Sequence, residues 1–431
     1  MLRWLRLQRF KNFRDARLEL GPFSVLVGAN ASGKSNIRDA FRFLHGIARD
    51  YTLAEIIGEK WVEGGVLQWR GIRGGTREVC LSGSRTFRLK VGFHEVHPIF
   101  SDINIEKSYG IKVDVGESPL SHPRVAAEYL RPRWSESVFD SHPAGDPISE
   151  QGEPDHLAVR LRKGEGQRKY GQRLNLLDMK PAISQLADHP KLQIRANRED
   201  VREALKVFER MRFLDLSPDA MRMPSVPGQG ILGDRGENLS SVLEIICSES
   251  SSKAVLLDWI RELTPMDAAD FEFQSDAAGR ILVTLVEKSG VRTSAYSASD
   301  GTLRFLAMIA ALLGPNPARF CFFEEIDTGI HPNRLGLLVQ LIEQQVQKGK
   351  VQVVTTTHSP QLLGLLEKGS LEHASIIYRS PASPEASIRR LLELPHAAEV
   401  IAQDGAAYLH AAGWMEDAMA FSEADQCIRH S

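Results

Sequence analysis

The stretch Gly28-Ala29-Asn30-Ala31-Ser32-Gly33-Lys34-Ser35-Asn36 constrains this chain more than any other. It fits the pattern G-x-x-x-x-G-K-[ST] in the setting that the pattern requires. The apolar run Phe23 to Val27 reads as a buried strand ahead of it, and Ile37 to Leu44 reads as a helix behind it. A strand, a glycine-bearing turn and a helix start are what polyphosphate binding needs. Gly28 and Gly33 let backbone N–H groups wrap an anion, and the helix N-terminus directs its partial positive charge at it. Lys34 is expected to reach the outer phosphates and Ser35 to give its hydroxyl to Mg2+, with Asn30 and Asn36 among the loop residues expected to bind nucleotide.

A chain of 431 residues exceeds one comfortable core, so two lobes or one domain with a large insertion is expected. With 42% hydrophobic and 25% charged residues, the composition is that of an ordinary globular protein. The longest apolar stretch, Phe305 to Leu313, is far short of the ~20 residues that a bilayer span needs. The basic segment Met1 to Arg17 does not have the apolar centre of a signal peptide. Cys80, Cys247, Cys321 and Cys427 show neither pairing nor metal-ligand spacing, so reduced thiols in a cytoplasm are expected. A net charge of −2 argues against coating nucleic acid indiscriminately while leaving room for a local basic surface.

Leu2 to Phe10 alternates as an edge strand would, Lys11-Asn12-Phe13-Arg14 is a turn, and Ala16 to Leu20 resumes the alternation. Arg14 reads equally as a phosphate contact and as a solvated turn arginine. Short β-like pieces follow between about 64 and 115, then a polar, proline-bearing loop at about 131–155 and a helical region at about 180–213. From Asn238 the chain alternates regular helices and strands again, with no sustained heptads that would make a long coiled coil.

Ala318 to Glu325 is an apolar run that ends in two carboxylates, the form of a buried strand delivering acids to its C-terminal edge, where α/β sheets bind ligands. Glu324 is placed to hold Mg2+, directly or through water, and Glu325 to act as general base on an attacking water. Val351 to Thr357 is a second strand, ending at His358, which can meet a terminal phosphate or orient the water. Ser297 to Thr302 leads into the apolar helical run Leu303 to Leu313, where Ser299 and Gly301 form either a second anion-binding element or an ordinary helix cap.

The order of these elements resembles the ABC-type ATPases of the RecF/SMC class, and more narrowly the standalone AAA-21-like ATPases of defence and repair gene clusters. Gly28 to Asn36 is similar to Walker A, Ser299-Asp300-Gly301 to the signature, and Phe320 to Glu325 to Walker B. Asp327 to Pro332 is similar to the D-loop and His358 to the switch histidine. The Lys11 to Arg14 turn resembles the family's phosphate-side turn, which favours a nucleotide role for Arg14. Glu324 stands where the wider class has Asp, and the signature is shorter than the LSGGQ form of transporters.

The resemblance implies an α/β fold: an ABC-type P-loop ATPase head with an N-terminal antiparallel β subdomain and a helical lid insertion. The expected parts are the first half of the head at 1–95, the insertion at 96–235 and the second half of the head at 236–431. ATP and Mg2+ are the implied cofactors. ATP held by Lys34 and Ser35 would recruit Ser299 and Gly301 of a second copy, so the implied assembly is a head-to-head homodimer, with higher oligomers open.

Arg160, Arg162, Lys163, Arg168, Lys169 and Arg173 form the densest basic cluster. A nucleic-acid backbone or an acidic partner would suit it, and so would a solvated loop. The implied role is an ATP-hydrolysing switch that regulates a separate effector, a nuclease above all, in antiviral defence or DNA maintenance. The alternatives are a RecF-like DNA clamp and, remotely, a transporter motor.

Overall fold

The computed structural model describes residues 1–96, 104–117, 121–133, 136–141, 155–162, 172–192, 195–263, 267–314, 318–379 and 383–411. The chain divides into two compact units. The first comprises Met1–Gly21, Ala29–Met211 and Ile377–Arg389, and the second Pro22–Gly28, Arg212–Ile376 and Arg390–Ser431.

The first unit is built on an eight-stranded sheet. Its spatial order is Arg173–Leu177, His156–Leu161, Phe139–Asp140, Arg124–Pro132, Asn104–Asp114, Thr86–Val96, Leu2–Phe10 and Phe13–Glu19. All seven neighbouring pairs run antiparallel. Alternate residues such as Leu5, Leu7, Leu89, Val91, Tyr109 and Ile111 are buried, as the two-residue period of a one-sided sheet dictates. Helices Lys34–Ala48 and Arg195–Glu209 pack on that inner face, where Phe43 meets Phe87 edge-on at 5.4 Å and Phe208 lies 5.4 Å from Tyr109.

Two local expectations change here. Leu2–Phe10 is interior, because Thr86–Val96 pairs along its other side, and Phe13–Glu19 takes the edge. The middle of the chain is helical only in part: Ala182–Leu186 and Arg195–Glu209 are helices, whereas its strands from Asn104 to Leu177 extend the sheet. Their alternation is visible in the sequence, but their partner, the sheet begun by the first residues, is not. Met211 leaves the helical face and opens the strand Met211–Leu214.

In the second unit, strands follow the order Met211–Leu214, Phe320–Phe323, Gln352–Thr357, Phe23–Val27 and Ala374–Arg379. The last four are parallel neighbours, and Phe320–Phe323 and Gln352–Thr357 are buried throughout, as expected of a sheet covered on both faces. A three-stranded antiparallel sheet, Ala268–Ser275, Ile281–Glu287 and Arg292–Ser294, accompanies helices Asp300–Leu313 and Pro332–Gln347. Among the described residues no helix is long and apolar enough to cross a membrane.

Candidate nucleotide site

In the first unit, helix Lys34–Ala48 starts at Gly33, whose φ of 120° is a left-handed conformation that glycine adopts without strain. No side chain caps this helix and its first turn carries no acid, so nothing in that turn neutralises the partial positive charge of the helix start, which suits an anion. The Lys34 ammonium donates to the Ala29 carbonyl of the same loop at 2.9 Å. The buried Ser32 hydroxyl has no protein partner, the condition of a polar atom placed for a ligand. Ser35 and Asn36 are half-buried beside it, and Asn30 is exposed.

The turn Lys11 to Arg14 secures the loop by a residue that sequence reading passed over. Asn12 donates from Nδ2 to the Ser32 carbonyl at 3.1 Å and accepts from Asn36 Nδ2 at 2.8 Å. A Cβ on Gly33 would come within 2.9 Å of the Asn12 amide, a second reason for glycine there. Lys11 lies 3.8 Å from the buried Asp39 carboxylate, which Arg73 also approaches at 3.2 Å, and burial pushes the Lys11 ammonium down from its ordinary value. In the same turn the Arg14 guanidinium donates to both Glu385 oxygens on the surface, which holds that carboxyl below the usual range.

In the second unit, Thr357 is the register partner of Val27, so the strand that ends at His358 finishes level with the strand that ends at Gly28. Phe323 pairs with Thr355 on the other flank, which brings Glu324 and Glu325 to the same C-terminal edge. Glu325 has φ 47°, a left-handed backbone that costs a non-glycine residue about 1–3 kcal/mol. Its N–H donates to Thr356 Oγ1 at 2.9 Å, and Thr328 donates its hydroxyl to Glu325 Oε2 at 3.2 Å. His358 Nε2 lies 3.4 Å from Glu325 Oε1, and both side chains remain accessible. Glu324 donates its N–H to the Leu214 carbonyl at 3.1 Å. Behind them, burial raises the Asp327 carboxyl, and its Oδ1 has no protein partner.

Ser299 caps helix Asp300–Leu313 by accepting from the Thr302 N–H at 3.2 Å, a bond worth about 1 kcal/mol. Asp300 is held by Arg222 at 2.6 Å. Gly301 has an intramolecular reason to be glycine, since a Cβ there would sit 2.5 Å from the Gly329 carbonyl oxygen. Thr356, together with Thr328 and Gly329 of the Asp327 to Pro332 stretch, therefore shapes the acidic edge and the turn at Ser299 to Gly301.

Of the basic cluster, Arg160 and Arg173 are register partners on adjacent strands and Arg162 donates to the Glu136 carbonyl. Lys163, Arg168 and Lys169 lie outside the described residues. The described residues contain no cluster of three or more His, Cys, Asp or Glu able to hold a metal.

A family described as "AAA domain, putative AbiEii toxin, Type IV TA system" matches residues 23–79 and 174–364, more than half of the chain. The chain belongs to this family. The resemblance read from the motifs is thereby borne out, and with it membership of the P-loop ATPases, which bind ATP with Mg2+. The two segments matched include the phosphate-loop stretch Gly28 to Asn36 in one and Ser299 to Gly301, Phe320 to Glu325 and His358 in the other.

Similar solved structures are SMC heads. One, bound to the C-terminal winged-helix domain of ScpA, is 13% identical over 90% of this chain and 97% of its own, with a TM-score of 0.49. The SMC head from Thermotoga maritima is 12% identical over 90% and 98%, at 0.41. A head with an extended coiled coil, bound to the C-terminal domain of ScpA derived from Pyrococcus furiosus, is 14% identical over 93% and 98%, at 0.46. No curated protein matches the chain.

Proposed function

We propose that this chain is an ATP-hydrolysing switch that closes head to head on a second copy of itself and so regulates a separate effector. The observation that carries the reading is the edge formed by three parallel strands, where the start of the phosphate loop, the Glu324–Glu325 pair and His358 end side by side. In this reading the loop N–H groups and the Ser32 hydroxyl receive phosphate oxygens, and Lys34 exchanges the Ala29 carbonyl for the outer phosphates. Ser35 and Glu324 would hold Mg2+, which when bound would supply positive charge to the phosphates. The Glu325 carboxylate takes the proton of the attacking water while His358 Nε2 orients that water. The left-handed backbone of Glu325, fixed by Thr356 and Thr328, aims the carboxylate.

Ser299 and Gly301 would complete the site from the second copy, so phosphate loss reopens the pair. A ligand that favours one assembly over another is what a switch requires. The family's description, a putative toxin of a type IV toxin–antitoxin system, supports a role in defence, with DNA maintenance as the alternative; a nuclease is our proposal for the regulated effector. The test is Glu325→Gln followed by light scattering and phosphate release. The variant should bind ATP, remain a closed dimer and turn over about 10²–10⁴-fold more slowly. Undiminished turnover would assign the base elsewhere.

A further inference from the structure

In the shared site proposed above, two helix starts meet phosphate, and they differ in charge. The first turn of Lys34–Ala48 carries no acid, whereas that of Asp300–Leu313 carries Asp300, which is 65% exposed. An acid there favours the helix on its own, because it answers the partial positive charge of the N-terminus. It opposes the approach of a polyphosphate, because like charges repel at close range. One side chain meets this conflict. The half-buried Arg222 guanidinium donates from Nη2 to Asp300 Oδ1 at 2.6 Å and to the Ala298 carbonyl at 3.1 Å. It thereby ties the residue before Ser299 to the residue after it.

Arg222 is itself held in place. It stands in the segment 215–236, whose ends are joined: Asp215 donates its N–H to the Asp234 carbonyl at 2.9 Å, and Ser217 donates its N–H to the Arg235 carbonyl at 3.1 Å. The buried Met221 packs so closely on Gly236 that a Cβ there would meet the Met221 Cγ at 2.8 Å. Beyond Arg222, Ser225 exchanges both backbone hydrogen bonds with Ile281, at 2.9 and 2.8 Å. Two residues along the same strand, the Val283 carbonyl accepts the Ala295 N–H at 3.0 Å. The loop that carries Arg222 and the turn that carries Ser299 are therefore both fastened to Ile281–Glu287, and the guanidinium joins one to the other.

An ion pair near the surface stabilises a fold little by itself. This one instead sets both the charge and the backbone at the turn. We propose that Arg222 is a positioning residue for nucleotide turnover: it neutralises Asp300 and fixes the backbone around Ser299 and Gly301, so that this turn can close on the triphosphate held by a second copy. The proposal rests on the shared site and adds the residue that makes one of its halves competent. Arg222 acts through the turn and does not itself touch nucleotide. Arginine suits the task because the two hydrogens of Nη2 lie in a rigid plane that sets the angle between the two acceptors, while Nη1 reaches Asp219 at 3.4 Å. The rotatable ammonium of lysine keeps the charge and loses that angle.

Arg222→Ala and Arg222→Lys test it beside Lys34→Ala and Ser299→Arg, with ATP binding read by calorimetry and turnover by phosphate release. Arg222→Ala should melt close to wild type and keep the ATP binding that the phosphate loop supplies. It should turn over about 10–100-fold more slowly, the cost of a group displaced at a reacting site. Arg222→Lys should regain part of that loss. Mixing locates the defect. Arg222→Ala mixed with Lys34→Ala should recover turnover, because the first brings an intact loop and the second an intact Ser299 turn; mixed with Ser299→Arg it should recover none. Wild-type turnover in Arg222→Ala would overturn the proposal. So would its failure to complement Lys34→Ala where Ser299→Arg succeeds, and the shared site would then still stand. If Ser299→Arg also fails to complement Lys34→Ala, the shared site falls and the proposal with it.

Discussion

Glu128 is a buried carboxyl in the middle of the eight-stranded sheet, and it makes the stability of the first unit depend on pH. Its Oε2 accepts the Ala182 N–H at 2.6 Å, and its Oε1 accepts the Ile183 N–H at 2.9 Å and the Tyr109 hydroxyl at 3.0 Å. Burial raises it from 4.5 to about 7, outweighing the three hydrogen bonds that favour the charged form. The same burial, with the Glu128 charge beside it, keeps the Tyr109 phenol protonated well above its ordinary range. Because the folded-state value exceeds the unfolded one, the folded chain holds the extra proton between the two. The stabilisation is therefore complete below about 4.5 and is lost as pH rises through about 7. Two and a half units at about 1.4 kcal/mol each give about 3.5 kcal/mol over the whole window.

Urea unfolding of wild type and Glu128→Gln across that window, followed by tryptophan fluorescence, measures the term. Glutamine removes the titration and, where Glu128 is protonated, is less stable by about 1–3 kcal/mol, because either amide orientation sets an NH2 group against a backbone N–H donor. The gap between the two proteins should therefore narrow as pH rises. A gap that stays constant from about pH 5 to about pH 8 would refute the linkage reasoning.

Gly301→Ala should destabilise the nucleotide-free protein by about 1–3 kcal/mol, because its Cβ would meet the Gly329 carbonyl at 2.5 Å; an unchanged urea midpoint would show that the two segments part freely. Lys34→Ala should abolish ATP binding by calorimetry, and full affinity in that variant would remove the central claim. Mixing Lys34→Ala with Ser299→Arg subunits should recover part of the ATPase activity if the sites are shared between copies. Two well-folded variants that fail to complement would argue for sites complete within one chain.

Much of the candidate site was legible because its motifs are local. The phosphate loop needs consecutive residues between a strand and a helix, so its pattern survives in the linear sequence, and the acidic and histidine strands announce themselves by apolar runs that end in chemistry. The residues that hold these groups were not legible. Asn12 acts on a loop some twenty positions away, and Thr356 fixes Glu325 across a strand pair; only register brings either to its target. Arg14 shows the same limit: its guanidinium pairs with Glu385, a partner far along the chain that no local window contains. The expectation of a helical lid met the same difficulty, since alternating residues between 104 and 177 become sheet only when an existing edge accepts them.

The sequence by itself determined the family and the order of its motifs: a Walker-type loop, two acids at one strand end, a histidine at the next and membership of an ATPase family all follow from residue order. What only the tertiary structure decided is which side chains become neighbours across strands. The densest basic run in the sequence, at 160–173, contributes Arg160 and Arg173 to a longer row that begins with Arg17 and Arg6, and no linear window could reveal it. The physical reason is the pleat: a two-residue period sends alternate side chains to opposite faces, and pairing then collects one face from segments far apart in the chain.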